Sequence, residues 1–162
     1  VFNQKLQDTM DLVGVIMDNY KKYGVDIIVV DKTGIGQGVY DRIKQLDYAV
    51  RGVSFGEKSE DDMFGNLKAE WHWRQRQWLL GGGKLLDNHG WNEFELVKYK
   101  NKDGKIIIQP KEELFREGIM SPNCVDAAVL TMALTDTSIR STKQYNAKYG
   151  QFYDWSLDAW KN

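Results

Sequence analysis

Cysteine, proline and histidine are almost missing from this chain. Cys124 is the only cysteine, so no internal disulfide and no multi-cysteine zinc site can form, and a reducing, cytoplasmic setting fits that usage. His72 and His89 are the only histidines, 17 positions apart and without H-E-x-x-H spacing. That disfavours a zinc hydrolase and leaves each as a surface or packing residue. No G-x-S-x-G occurs, so an α/β-hydrolase serine is unsupported. No run approaches the roughly 20 apolar residues of a membrane span, and the first residues resemble neither a signal nor a transit peptide. An excess of one charge is missing too. With 22 Lys and Arg against 23 Asp and Glu, the net charge is −1, so contact with nucleic acid must rest on local clusters.

What is present is ordinary for a globular domain: 162 residues, 42% of them hydrophobic and 28% charged, enough to bury one core. Leu6, Met10, Val13, Met17 and Tyr20 recur at helical spacing until Gly24 stops the run. Residues 25–31 read as an apolar strand suited to burial. A short helix follows with Val39, Ile43 and Leu46 on one face, then a strand from Tyr48 to Phe55. The spacing of Phe64, Leu67, Trp71 and Trp78 predicts a helix over 61–80, closed by three glycines. Asp103-Gly104 marks a hairpin with Ile106 to Ile108 in its return strand. Ser121-Pro122 opens a last helix running to about Leu134. The order predicts an α/β fold with a partly parallel sheet, with one domain over 1–137 and a polar arm over 138–162.

Two carboxylates stand out. Asp31 ends the run VDIIVV and precedes KTGIGQG, placing an acid at the C-terminal lip of a buried strand, where open α/β sheets bind ligands. Asp126 sits among Val125, Ala127, Ala128 and Val129; an acid there needs a metal, a cation or hydrogen bonds to offset its desolvation, or else is an acid favoured by a helix N-terminus. Gly34, Gly36 and Gly38 give G-x-G-x-G, a weak match to a dinucleotide loop, and no lysine–hydroxyl pair follows as a P-loop needs. In KAEWHWRQRQW, cations interleave with tryptophans; the favoured reading is core tryptophans beside a solvated basic face, the other a grip on a phosphate backbone.

In order, these blocks resemble the C-terminal nuclease domain of the large subunit of tailed-phage DNA-packaging terminases, a ribonuclease H-like mixed sheet flanked by helices. VDIIVVDKTGIGQGVYDRI resembles that family's second acidic strand and D-x-T-G-x-G turn. Phe55-Gly56, Asp61, Asn66, Lys68, Ala69 and Glu70 resemble its F-G, D and N-x-(R/K)-A-E block. GKIIIQPKEELFREGIMSPNCVDAAVLTMA resembles its closing strand, lysine-bearing segment and S-P-x-x-x-D-A helix.

The resemblance implies a two-metal endonuclease that cuts concatemeric double-stranded viral DNA during packaging, using two Mg²⁺ or Mn²⁺ ions held by oxygen ligands. It implies Asp31 and Asp126 as metal ligands, with Asn123 one helical turn before Asp126 as a weaker third. Lys32, Thr33, Lys58, Lys68 and Lys111 become candidates for DNA contact, Lys111 also for neutralising a carboxylate. The partners implied are an ATPase domain of the same polypeptide, a portal and a small terminase subunit, in the cytoplasm of a bacterial host or encoded by a prophage. The family's first acid and its ATPase half precede the helix at which this chain begins. The expectation is therefore an N-terminally truncated fragment short of one ligand, with a sheet edge open to self-association. The other readings are a resolvase or transposase core, a nucleotide-binding module using TGIGQG, and a catalytically inactive domain docking to portal or capsid.

Overall fold

The structure, a computed structural model, describes residues 8–86 and 89–135. Leu6 and the arm expected over 138–162 lie outside the described residues. Helix α1 (Thr9–Tyr23) begins where the Asp8 carboxylate accepts the Met10 N–H at 3.0 Å and ends at Gly24, whose φ of 60° lets its N–H reach the Tyr20 carbonyl. Val25 also donates back to Tyr20, at 3.1 Å. That bond keeps Val25 with the helix cap, so strand β1 (Ile28–Asp31) is shorter than the predicted 25–31.

Helix α2 (Gly36–Gln45) crosses over to β2 (Val50–Val53), which pairs parallel to β1 from Ile28↔Val50 to Asp31↔Val53. Alternation along these strands sorts their side chains. Ile28, Val30 and Val50 pack with Val13, Met17, Val39 and Ile43 of α1 and α2. On the opposite face Val29 and Val53 join Trp71, Val125, Val129 and Ala133. The strand pair is thus the middle of three layers, and its apolar content reflects cover on both sides.

Helix α3 (Leu67–Leu80) starts well after the predicted Asp61. Residues 63–65 are drawn into strand-like pairing instead: Ile106 donates to the Met63 carbonyl at 2.8 Å and Gly65 donates to Ile106 at 2.9 Å. Asn66 then caps α3 by accepting the Ala69 N–H at 3.0 Å. The hairpin β3 (Tyr99–Lys102) and β4 (Lys105–Ile108) turns at Asp103 and Gly104, both at positive φ, as the Asp-Gly signal predicts. Parallel and antiparallel pairing both occur, in two separate strand pairs among the described residues. A short helix α4 (Lys111–Arg116) follows β4, and α5 (Asn123–Leu130) tightens into a 3₁₀ segment at Thr131–Thr135 rather than running on as one α-helix. Among the described residues no helix is long and apolar enough to cross a membrane.

Candidate active site

Asp31 closes β1 opposite Val53. Its Oδ1 accepts the Thr33 N–H at 3.0 Å and the Thr33 hydroxyl at 2.7 Å, so no bond from a described residue falls on Oδ2. The glycines beyond it build this corner. Gly34 takes a φ of 62°, and a Cβ on Gly36 would lie 1.8 Å from the Asp31 carbonyl oxygen. Only a glycine lets α2 start that close to the strand end. The N–H groups of Gly36, Gln37 and Gly38 donate to Thr33, Gly34 and Ile35 at 3.3, 3.4 and 3.2 Å. These three amides are therefore engaged within the chain rather than turned toward a phosphate. Lys32 continues the ladder by donating to the Val53 carbonyl at 2.7 Å, and its ammonium lies 5.9 Å from the Tyr40 ring centre.

Asp126, on the first turn of α5, is the most heavily bonded acid of the site. Lys68 lies 3.0 Å from each of its carboxylate oxygens, His72 Nε2 lies 3.2 Å from Oδ1, and Lys111 Nζ lies 3.3 Å from Oδ2. Lys68 and His72 stand four apart on α3 and share a face, while Lys111 opens α4. The Asp126 side chain is only 12% exposed and that of His72 6%, whereas Lys111 is 44% exposed and holds the outer side. Burial pushes the Asp126 carboxyl up. The His72 hydrogen bond and the Lys68 charge outweigh it and hold the carboxyl well below the usual carboxylate range. For His72 burial dominates over the attraction of Asp126 and pushes the imidazole down, toward its neutral form.

Both shifts have the same sign in their effect on stability. A folded state that releases a proton more readily than the unfolded chain gains stability as pH rises. Acidification should therefore lower the unfolding free energy in two stages: from about pH 6.5 downward as His72 gains its charge in the unfolded chain, and from about pH 4 downward as the Asp126 carboxylate takes up a proton and loses its charge there. Urea midpoints of wild type and His72→Gln between pH 4 and 8 test this; the upper stage should vanish in the variant.

Helix α5 carries no cap of its own. Its amides at Cys124 and Val125 donate to the Glu93 carboxylate at 2.7 and 3.3 Å. Glu93→Ala should cost about 1–2 kcal/mol in chemical denaturation, as loss of an N-terminal carboxylate cap does.

Of the residues singled out from sequence, the fold brings Lys68, Lys111 and Asp126 into contact. Asn123 is exposed and accepts the Ser121 hydroxyl at 2.8 Å. Lys58 lies on an exposed loop, and Thr33 is engaged with Asp31. The solvated basic face expected on α3 is corrected: Lys68 bonds Asp126, and Arg74 lies 2.5 Å from the buried Glu70, leaving Arg76 exposed. His72 is corrected as well, from a surface or packing residue to a buried donor on Asp126. The sequence signal for it was its place one turn after Lys68 and beside Trp71.

Asp31 and Asp126 lie at one end of the strand pair. Asp31 pairs with Val53; two residues on, Phe55 underlies Lys68, whose ammonium is 5.3 Å from the ring centre; and Lys68 bonds Asp126. Among the described residues no three of His, Cys, Asp and Glu cluster as metal ligands. The donors nonetheless suit a hard divalent ion, which takes one or two carboxylates and fills its sphere with water. Asp31 offers an oxygen without a described donor, and Asp126 draws ammonium groups to both oxygens. The cleft beside Asp126, lined also by Lys68, His72, Lys98, Gln109 and Lys111, has about 10 Å³ of free space, room for about one water.

No family model matches the chain, and no curated protein does. Among solved structures it is similar to the nuclease domain of the large terminase subunit gp2 of bacterial virus Sf6, a lysine-to-alanine mutant with manganese and beta-thujaplicinol. The identity is 17% and the TM-score 0.63, over 78% of this chain and 73% of that one. The chain therefore has the fold of a phage large-terminase nuclease domain, a ribonuclease H-like α/β architecture.

Proposed function

We propose that this chain is a metal-dependent endodeoxyribonuclease domain of a phage terminase large subunit, acting on double-stranded DNA during genome packaging. The observation that carries the reading is the Asp126 carboxylate, buried and ringed by cationic donors at the same end of the strand pair as Asp31. The fold shared with a nuclease domain solved with manganese supports it. Asp31 would hold a divalent ion through its Oδ2, and Asp126 through its Oδ2, the oxygen that both Lys68 and Lys111 face. Two Mg²⁺ or Mn²⁺ ions, when bound, supply a water activated for in-line attack and a charge to steady the leaving oxygen.

The chain's own residues do the rest. The Thr33 bonds fix Asp31 at the strand end, so its second oxygen is held without a search over rotamers. Lys68 and Lys111 compensate the negative charge of Asp126, and with an ion bound there they would be available to phosphate oxygens of the DNA. Lys32 and Lys58 would add backbone contacts that carry no sequence information. The portal, the small subunit and an ATPase domain of the same polypeptide are the partners this role requires.

The test is nicking of supercoiled plasmid with Mn²⁺, Mg²⁺ or EDTA. Cleavage should need the divalent ion and fall about 10²-fold or more in Asp31→Asn and in Asp126→Asn. Cleavage that persists in EDTA, or survives both substitutions, would overturn the proposal.

A further inference from the structure

We infer that His72 is a positioning residue for the metal site: its Nε2–H holds Oδ1 of Asp126 so that Oδ2 stays aimed at the ion. This rests on the metal-site reading above and adds a role for a residue that the reading itself does not need.

Asp126 has three donors of two kinds. Lys68 and Lys111 are ammonium groups, at 3.0 Å from both oxygens and at 3.3 Å from Oδ2. A divalent cation on the same carboxylate repels both of them and competes for the same lone pairs. Both chains have somewhere to go, since Lys111 is 44% exposed and Lys68 19%. Once they withdraw, Asp126 loses the bonds that fix its χ angles. His72 is different on each count. Its side chain is 6% exposed, it projects from the middle of α3 next to the buried Trp71, and it bonds Oδ1 alone. An imidazole packed this deeply has no solvent to withdraw into, so its bond is the one that can persist after loading. Groups that hydrogen-bond a metal's ligands in this way orient them, and their loss commonly weakens metal binding about 10–100-fold.

The test compares wild type, His72→Leu and His72→Gln, the last retaining an amide N–H near the Nε2 position. Mn²⁺ affinity is read by the free-ion signal in electron paramagnetic resonance, with circular dichroism melts confirming that each variant is folded. The leucine variant should bind Mn²⁺ about 10–100-fold more weakly, and the glutamine variant should recover most of that loss. Equal affinity in wild type and leucine variant overturns the inference, as does a folded glutamine variant as weak as the leucine one. A second reading needs no metal: long-range ¹H–¹⁵N spectra of wild type at pH 7 should show His72 as the Nε2–H tautomer, and the Nδ1–H tautomer overturns the inference on its own. Wild type that takes up no Mn²⁺ removes the metal-site reading and this inference together. Binding that is indifferent to His72 removes the inference alone.

Discussion

Asp126→Ala is expected to cost about 3 kcal/mol of stability, whatever it does to catalysis. Removing one partner of a buried ion pair usually costs about 3–5 kcal/mol, because the remaining charge is left desolvated and unmatched. Here the substitution leaves two ammonium groups and a buried imidazole N–H facing an alanine methyl. The value falls at the low end because Lys111, 44% exposed, can swing into water, whereas Lys68, at 19%, regains less hydration. Asp126→Asn keeps one oxygen as an acceptor and should lose about half as much. Urea unfolding is the measurement, read as a midpoint shift at constant slope. An alanine variant within about 0.5 kcal/mol of wild type would mean that the lysines spend little time on Asp126 in solution.

The same cluster shows what the sequence could and could not disclose. Asp31 and Asp126 were legible because each is an acid in an apolar run, and such acids need partners. The glycines after Asp31 were legible as a turn, and Asp103-Gly104 as a hairpin, because both signals are local. The partners of Asp126 were not. His72 is 54 positions away and Lys68 58 away, and periodicity within α3 says only which residues share a face.

The late start of α3 has the same origin. Phe64 fits the helical spacing of Leu67, Trp71 and Trp78, yet Ile106 claims the backbone of Met63 and Gly65, and tertiary pairing overrides local pattern. Glu93 is not marked by any local pattern, because the helix it caps begins 30 residues later, at Asn123. The fold class and the two acids thus follow from one-dimensional pattern. The cation and imidazole set around Asp126 is a product of the packing of α3, α4 and α5.

Gly36→Ala is expected to be the most damaging of the small substitutions in the glycine-rich turn. The added Cβ would sit 1.8 Å from the Asp31 carbonyl oxygen and 2.9 Å from its carbonyl carbon. These are backbone atoms of a paired strand, so no rotamer change relieves the clash. Either the start of α2 lifts off β1 or the end of β1 moves, at a cost of about 2–4 kcal/mol. Gly38→Ala is the matched control. It lies in the same helix with nothing within 4 Å of its Cβ position, so alanine should be neutral or stabilising by up to about 1 kcal/mol. Chemical denaturation of both variants should separate them by at least 2 kcal/mol on this reckoning. The contrast also bears on chemistry, because the clash falls on the residue whose carboxylate is assigned to the ion. Gly38→Ala should bind Mn²⁺ as wild type does, while Gly36→Ala, even where folded, should bind it more weakly. Equal stability of the two variants would mean that α2 can move away from the end of β1 at little cost, and that Asp31 does not depend on their close approach.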